Sequence, residues 1–307
     1  RIASENLPAA SSNEIKTLGA NAVEAGYRLS CSYNVQTDTE VIIEDANKQA
    51  QIVTEGRQRN ISLLPIVIKE KISLEKPALS DQTADFERVI GDTLEIEAPN
   101  LQLIRMIPEI IRQEDYNVTL IKMGNRLLGI EAGDTRDRHF GVAVDIGTTT
   151  IAAYLIDLSN GEKRSIQSAL NPQKKFGADV ISRIKHTIEA EDGLEEMQTL
   201  IINELNNCIE AMCKEANIPK TSIYAITLVG NTTMQHFLLK VPARNIAAAP
   251  FIPAVTSMLT VNAKDLGIDI NPFGVACVLP SVSAYIGADT VAAVLSTGMY
   301  QQEDISL

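Results

Sequence analysis

The chain has 307 residues, with 27 Lys and Arg against 39 Asp and Glu, a formal net charge of −12 and a sequence pI near 4.8. That balance excludes a basic stripe of the kind that grips a phosphate backbone, so nucleic acid is not an expected partner. Apolar residues at 45% and charged residues at 21% are those of ordinary globular domains, two or three at this length, and no run reaches the ~18 apolar residues of a membrane span.

In chain order, Asn13 to Ala25 carries a helical pattern that stops at Gly26 and is followed by a β-rich run, Thr39 to Glu44. Residues 45–62 are polar and read as an exposed linker between domains. Residues 63–138 predict a small α+β unit: a strand at Leu64 to Ile68, helices at Asp81 to Ile90 and Leu101 to Arg112, and a hairpin of Val118 to Lys122 and Arg126 to Ile130 turning at Gly124-Asn125. Pro108 is expected to begin a new helical turn, because an interior proline loses a backbone bond.

Residues 139–307 predict an α/β layer domain. Gly141 to Gly147 is a near-continuous apolar strand with one carboxylate, Asp145, at its end. Thr148, Thr149 and Thr150 follow, and Ile151 to Leu158 returns, so the threonines sit in a strand-to-strand turn. Two amphipathic helices come next, the first with a face marked by Val180, Ile181, Ile184 and Ile188 and the second with a face marked by Leu194, Met197, Ile201, Leu205, Cys208, Ile209 and Met212. A strand at Ile223 to Val229, a short helix capped by Asn231, a strand at Val275 to Leu279 and a closing helix from about Ala284 complete the pattern.

The segment Asp145-Ile-Gly-Thr-Thr-Thr150 holds the strongest chemical signal. Gly147 allows close backbone approach to an anion, the threonine amides and hydroxyls can donate to phosphate oxygens, and Asp145 can hold Mg²⁺. A buried aspartate would need such a partner; the alternative is an ordinary turn whose aspartate satisfies neighbouring amides. No P-loop or dinucleotide fingerprint is present. Asn231 is placed as a helix cap, and Asp289, after Gly287, either approaches the metal and cleft or serves a helix start. Four scattered cysteines are too few for a disulfide scaffold. Cys31 alone reads as a small hydrophobe or a ligand. Cys208 and Cys213 stand roughly 140° apart on one helix, predicting one core and one surface residue. His139, His186 and His236 are isolated and read as structural.

The hairpin resembles the first phosphate motif of the actin, heat-shock ATPase and sugar-kinase superfamily, whose ribonuclease-H-like halves close on ATP. Asn171-Pro-Gln173, Phe176 to Ile184, Val229 to Met234, Ala249-Pro-Phe251 and Tyr285 to Asp289 narrow the resemblance to the ATP-dependent reductive activators of corrinoid enzymes. It implies a fold of three parts: the C-terminal part of a 2Fe-2S ferredoxin-like domain (1–44), a small α+β middle domain after the linker, and the N-terminal part of an α/β ATPase domain. A start at Arg1 and a stop at Leu307 inside an apolar phrase make a fragment the expectation.

By the same resemblance, Cys31 is the fourth ligand of a 2Fe-2S cluster whose other ligands lie upstream. Asp145 serves Mg²⁺, while Gly147, Thr148, Thr149 and Thr150, with Asn231 and Asp289, serve ATP. The implied activity is one-electron reduction of Co(II) to Co(I) in a corrinoid protein of a methyltransferase system, fed by an electron donor and compatible with a homodimer. The lack of an apolar span and of a basic-then-apolar N-terminus makes the cytoplasm the expected location of the chain. Each ~60 mV of uphill potential costs about 1.4 kcal/mol, which is the reason such a transfer needs ATP. Two other readings share the hairpin: a small-molecule kinase, against which the remnant around Cys31 argues, and a non-catalytic redox scaffold, against which Asp145 argues.

Overall fold

The computed structural model describes residues 2–3, 9–29, 40–41, 62–91 and 101–301. The chain divides into two units, Arg1–Val53 and Thr54–Leu307. In the first, β1 (Ile2–Ala3) pairs antiparallel with β2 (Glu40–Val41). The predicted single helix is two, α1 (Ser12–Leu18) and α2 (Ala20–Glu24). They are separated by Gly19 at φ 84°, a left-handed backbone that breaks helical hydrogen bonding. Ser11 and Glu14 form a capping box at the start of α1, with the Glu14 amide donating to Ser11 Oγ at 3.3 Å and the Ser11 amide to Glu14 Oε2 at 2.8 Å. Cys31 lies outside the described residues, as does most of the Thr39 to Glu44 run.

The second unit opens with β3 (Ile68–Ser73), α3 (Asp85–Ile90), α4 (Leu101–Gln113), β4 (Asn117–Met123) and β5 (Arg126–Ala132), the strands forming an antiparallel sheet in the order β3-β4-β5. The first strand begins at Ile68 rather than Leu64. Lys69, Glu70 and Lys71 hide it in the sequence, although the Lys69 side chain is only 1% exposed. Pro108 begins no new helix. It sits within α4 on the exposed side, while Leu103, Ile107 and Ile111, four residues apart, bury the opposite face in the core this sheet shares.

The larger sheet follows: β6 (Phe140–Ile146), β7 (Thr150–Asp157), β8 (Lys163–Leu170), α5 (Val180–Glu189), α6 (Gly193–Ala216), β9 (Ile223–Gly230), α7 (Thr232–Leu238), β10 (Leu259–Asn262), β11 (Val275–Val278) and α8 (Ala288–Thr297). Strand order is β10-β11-β9-β6-β7-β8; β6, β9 and β11 run parallel and the others antiparallel to their neighbours. The five strands β8-β7-β6-β9-β11 form the expected ribonuclease-H-like α/β layer, and the whole is a multidomain α/β fold.

Period-two alternation sends Val142, Val144, Ile146, Ile226 and Leu228 into one core with Ile201, Leu205, Ile209 and Met212 of α6. Each such side chain stabilises the fold by about 1.5–3 kcal/mol. On the opposite face Ala225, Val275 and Cys277 join Leu103, Ile107 and Ile111, so the small unit packs there. Cys213 is not the expected surface residue: like Cys208 it is 5% exposed, because α6 is covered on more than one side. Burial pushes the Cys208 thiol up to about 11 and raises those of Cys213 and Cys277, which makes all three poor nucleophiles.

Candidate functional site

Because β6, β9 and β11 run parallel, the turns that leave them gather at one edge of the sheet, where ligands of open α/β sheets characteristically bind. Glycines let these turns interlock. A Cβ on Gly147 would lie 2.7 Å from the Thr150 carbonyl oxygen, on Gly230 2.8 Å from the Ile146 oxygen, and on Gly287 2.4 Å from Asn231 Cα. Close approach, rather than a left-handed backbone, is what requires glycine at position 147.

The hairpin turn is held from behind. Asn171 Nδ2 donates to the Gly147 carbonyl at 2.8 Å, Arg183 Nη2 to the Thr148 carbonyl at 2.6 Å, and the Asn171 amide to the Thr149 carbonyl at 2.8 Å. In a trans peptide the N–H points opposite to the C=O. Fixing three successive carbonyls on one side therefore turns the amides of Thr148, Thr149 and Thr150 toward the other. Among the described residues no protein acceptor takes the amides of Thr148 or Thr149, whereas the register Ile146↔Ile151 turns the Gly147 amide toward the Thr150 carbonyl. Such a row of free amides favours an anion.

Asp145 is on the sheet face away from α6, beside Val229 of β9 and Ala152 of β7. It is exposed rather than buried as expected, and no donor or cation pairs with its carboxylate among the described residues. Its tip reaches solvent while protein desolvates its other sides. That desolvation, and then the negative charge of Asp289, push its carboxyl above the usual 3.8. Asp289 is half-buried in the first turn of α8, where its Oδ1 accepts the Thr290 amide at 2.7 Å. Asn231 does cap α7, its Oδ1 accepting the Met234 amide at 3.0 Å, and its Nδ2 also donates to Thr148 Oγ1 at 3.0 Å. One edge thus brings together Asp145, Gly147 to Thr150, Asn231 and Asp289. The Thr149 side chain is exposed.

Asn171, Arg183 and Gly287 carry no assigned role in the sequence reading, although each lies inside a quoted motif. A lone arginine near the start of the apolar α5 face was the available signal. Elsewhere, His236 is wholly buried, with Nδ1 against the Thr232 carbonyl at 2.7 Å and Nε2 accepting the Ala254 amide at 2.9 Å, a neutral ring that pins the following connector. His186 meets Glu196 at 2.7 Å and stacks on Phe176. Among the described residues no three His, Cys, Asp or Glu side chains cluster at metal spacing. A cavity of about 1030 Å³ lies over the small side chains of Gly141, Ala143, Ala225, Thr227 and Cys277. Its lining contains none of the free amides described above, nor Asp145 or Asp289, and the chemistry points to the strand edge.

A family model for the RACo middle region matches residues 140–302, more than half the chain, and one for the RACo linker region matches residues 56–137. The chain belongs to the RACo family. The corrinoid activation enzyme RamQ of Eubacterium limosum is 29% identical over 272 residues, covering 87% of this chain and 46% of that protein. A solved structure described as a reductive activator for corrinoid, iron-sulfur protein matches this RACo-family fold with a TM-score of 0.73 at 32% identity, covering 81% of this chain and 41% of that one. The chain therefore spans less than half the length of the relatives it matches.

Proposed function

We propose that this chain is the linker and nucleotide-binding portion of an ATP-dependent reductive activator. The activator would return a methyltransferase-system corrinoid protein from Co(II) to Co(I) by one-electron reduction. Kinship with RamQ and with the solved reductive activator supports the corrinoid side of this reading. The observation that carries the ATP side is the pairing of the free Thr148 and Thr149 amides with an Asp145 carboxylate that no described residue partners, beside Asp289.

The donor set fits a magnesium triphosphate. Outward amides and the exposed Thr149 hydroxyl would receive phosphate oxygens, Asn231 would hold the Thr148 hydroxyl in place, and Asp145 with Asp289 would hold the ion. The ion supplies neutralisation of triphosphate charge. The chain's own contribution is a preorganised turn, since Asn171 and Arg183 fix its carbonyls before any ligand arrives. A 2Fe-2S cluster does not fit the described residues: Cys208, Cys213 and Cys277 are buried apart, and Cys31 could supply one of the four ligands such a cluster needs. The electron carrier and its donor therefore belong to the longer protein.

The test is anaerobic spectrophotometry of the full-length protein with a Co(II) corrinoid protein and a chemical reductant. The absorbance change to Co(I) should require ATP and should slow by ~tenfold or more in D145N, the scale of losing a charge-assisted contact. Corrinoid reduction that proceeds equally without ATP contradicts the proposal.

A further inference from the structure

Arg183 is wholly buried, and among the described residues no acid pairs with it. Nε donates to the Gly177 carbonyl at 3.0 Å, Nη2 to the Thr148 carbonyl at 2.6 Å, and Nη1 reaches Gln173 Oε1 at 3.4 Å and Met234 Sδ at 3.7 Å. Asp179 lies near enough to be felt but outside ion-pair distance, and its carboxylate caps α5 by accepting the Ser182 amide and hydroxyl, both at 2.9 Å. Other arginines differ: Arg88, with a side chain 6% exposed, has Asp81 at 2.6 Å, and Arg112 has Asp85 at 2.7 Å. A buried guanidinium offset only by neutral acceptors is costly unless a counter-charge arrives.

The missing counter-charge has a defined direction. The carbonyl that Arg183 grips belongs to the Thr148–Thr149 peptide, whose N–H points away from the guanidinium into the row of free amides. A cation on the carbonyl polarises that peptide and strengthens its N–H as a donor. We propose that Arg183 is a positioning residue of the anion site, the buried counter-charge to a polyphosphate bound across the Thr148–Thr149 peptide. This deepens the phosphate reading above and rests on it.

Titration calorimetry of the full-length protein with Mg-ATP and with AMP separates charge from scaffolding, using R183K (charge kept), R183Q (donors kept) and R183M (neither), with melting curves on the same samples. The neutral variants should lose ~tenfold or more in Mg-ATP affinity and markedly less for AMP, while R183K stays within about threefold of wild type. A strut without an electrostatic role would weaken both nucleotides alike, and that result overturns the proposal. So does a folded R183Q or R183M with wild-type affinity, R183K as weak as R183M, or failure of both neutral variants to fold. Absence of Mg-ATP binding by the wild-type protein would instead overturn the phosphate reading itself, and this proposal with it.

Discussion

At Asp145 the folded chain keeps a carboxylate that no donor satisfies among the described residues, a few residues from the Thr148 and Thr149 amides, which no described acceptor uses. The sign of its titration follows from desolvation and from Asp289, which together raise its folded-state value above the usual 3.8. A raised carboxyl favours the folded state when protonated, below the unfolded value, and that contribution is lost as pH rises through the raised value. At neutral pH the ionised group therefore opposes folding until a cation arrives. Replacing it should leave apo stability unchanged or higher by up to about 0.5 kcal/mol, the range of an exposed substitution. Thermal melts with and without MgCl₂ and ATP check this: wild type should gain stability from the ligand pair at pH 7 and lose the gain as pH falls through the raised carboxyl range, whereas D145N should show little gain at any pH. Equal ligand stabilisation in D145N would exclude Asp145 from the ion.

At the scale of elements, a buried polar network joins the small sheet to the large one. Lys69 of β3 donates to Glu131 of β5 at 2.7 Å and to the Tyr224 hydroxyl of β9 at 3.0 Å, while Tyr224 and Thr135 also donate to Glu131. Burial pulls Lys69 below its usual 10.5 against the attraction of Glu131. Burial pulls Glu131 upward, but its three donors together outweigh that and hold it below 4.5. Its stabilising contribution is present above the unfolded value and lost as pH falls through the lowered one. K69M should cost about 3 kcal/mol, the lower end for breaking a buried pair, because Glu131 keeps two donors and a quarter of its exposure. Urea unfolding would register this as a lower midpoint with an unchanged slope.

The same network explains what was legible in the sequence. Strands that bury apolar residues in alternation or in a run, such as β4, β5, β6 and β9, could be read directly. β3 was misplaced because its charged residues look solvated while Lys69 is buried in the network. β8, with the sequence Lys-Arg-Ser-Ile-Gln-Ser-Ala-Leu, was missed because an edge strand needs few apolar residues, and Ser165 is satisfied by Glu215 at 2.6 Å. The turn residues of the site were legible because their types are unusual together. Asn171, Arg183 and Gly287 were not, since their importance lies in contacts across 24, 35 and 56 residues of chain.

For the whole molecule, a RACo-family chain spanning less than half of its relatives presents the proposed phosphate-binding turn on the edge of an α/β layer. Helices α5, α6 and α7 buttress one face, and the small α+β unit covers part of the other, so the edge is held in place by two cores. Population shift between open and closed arrangements of the full-length protein is the means by which a ligand at this edge would alter its partner's chemistry. The most direct measurement is a crystal structure of the full-length protein with magnesium and a non-hydrolysable ATP analogue. Phosphate oxygens within hydrogen-bond distance of the Thr148 and Thr149 amides, with the ion on the Asp145 side of the turn, are the expected result. Nucleotide seated elsewhere, for instance in the cavity over Thr227 and Cys277, with the hairpin amides left to water, would contradict the account.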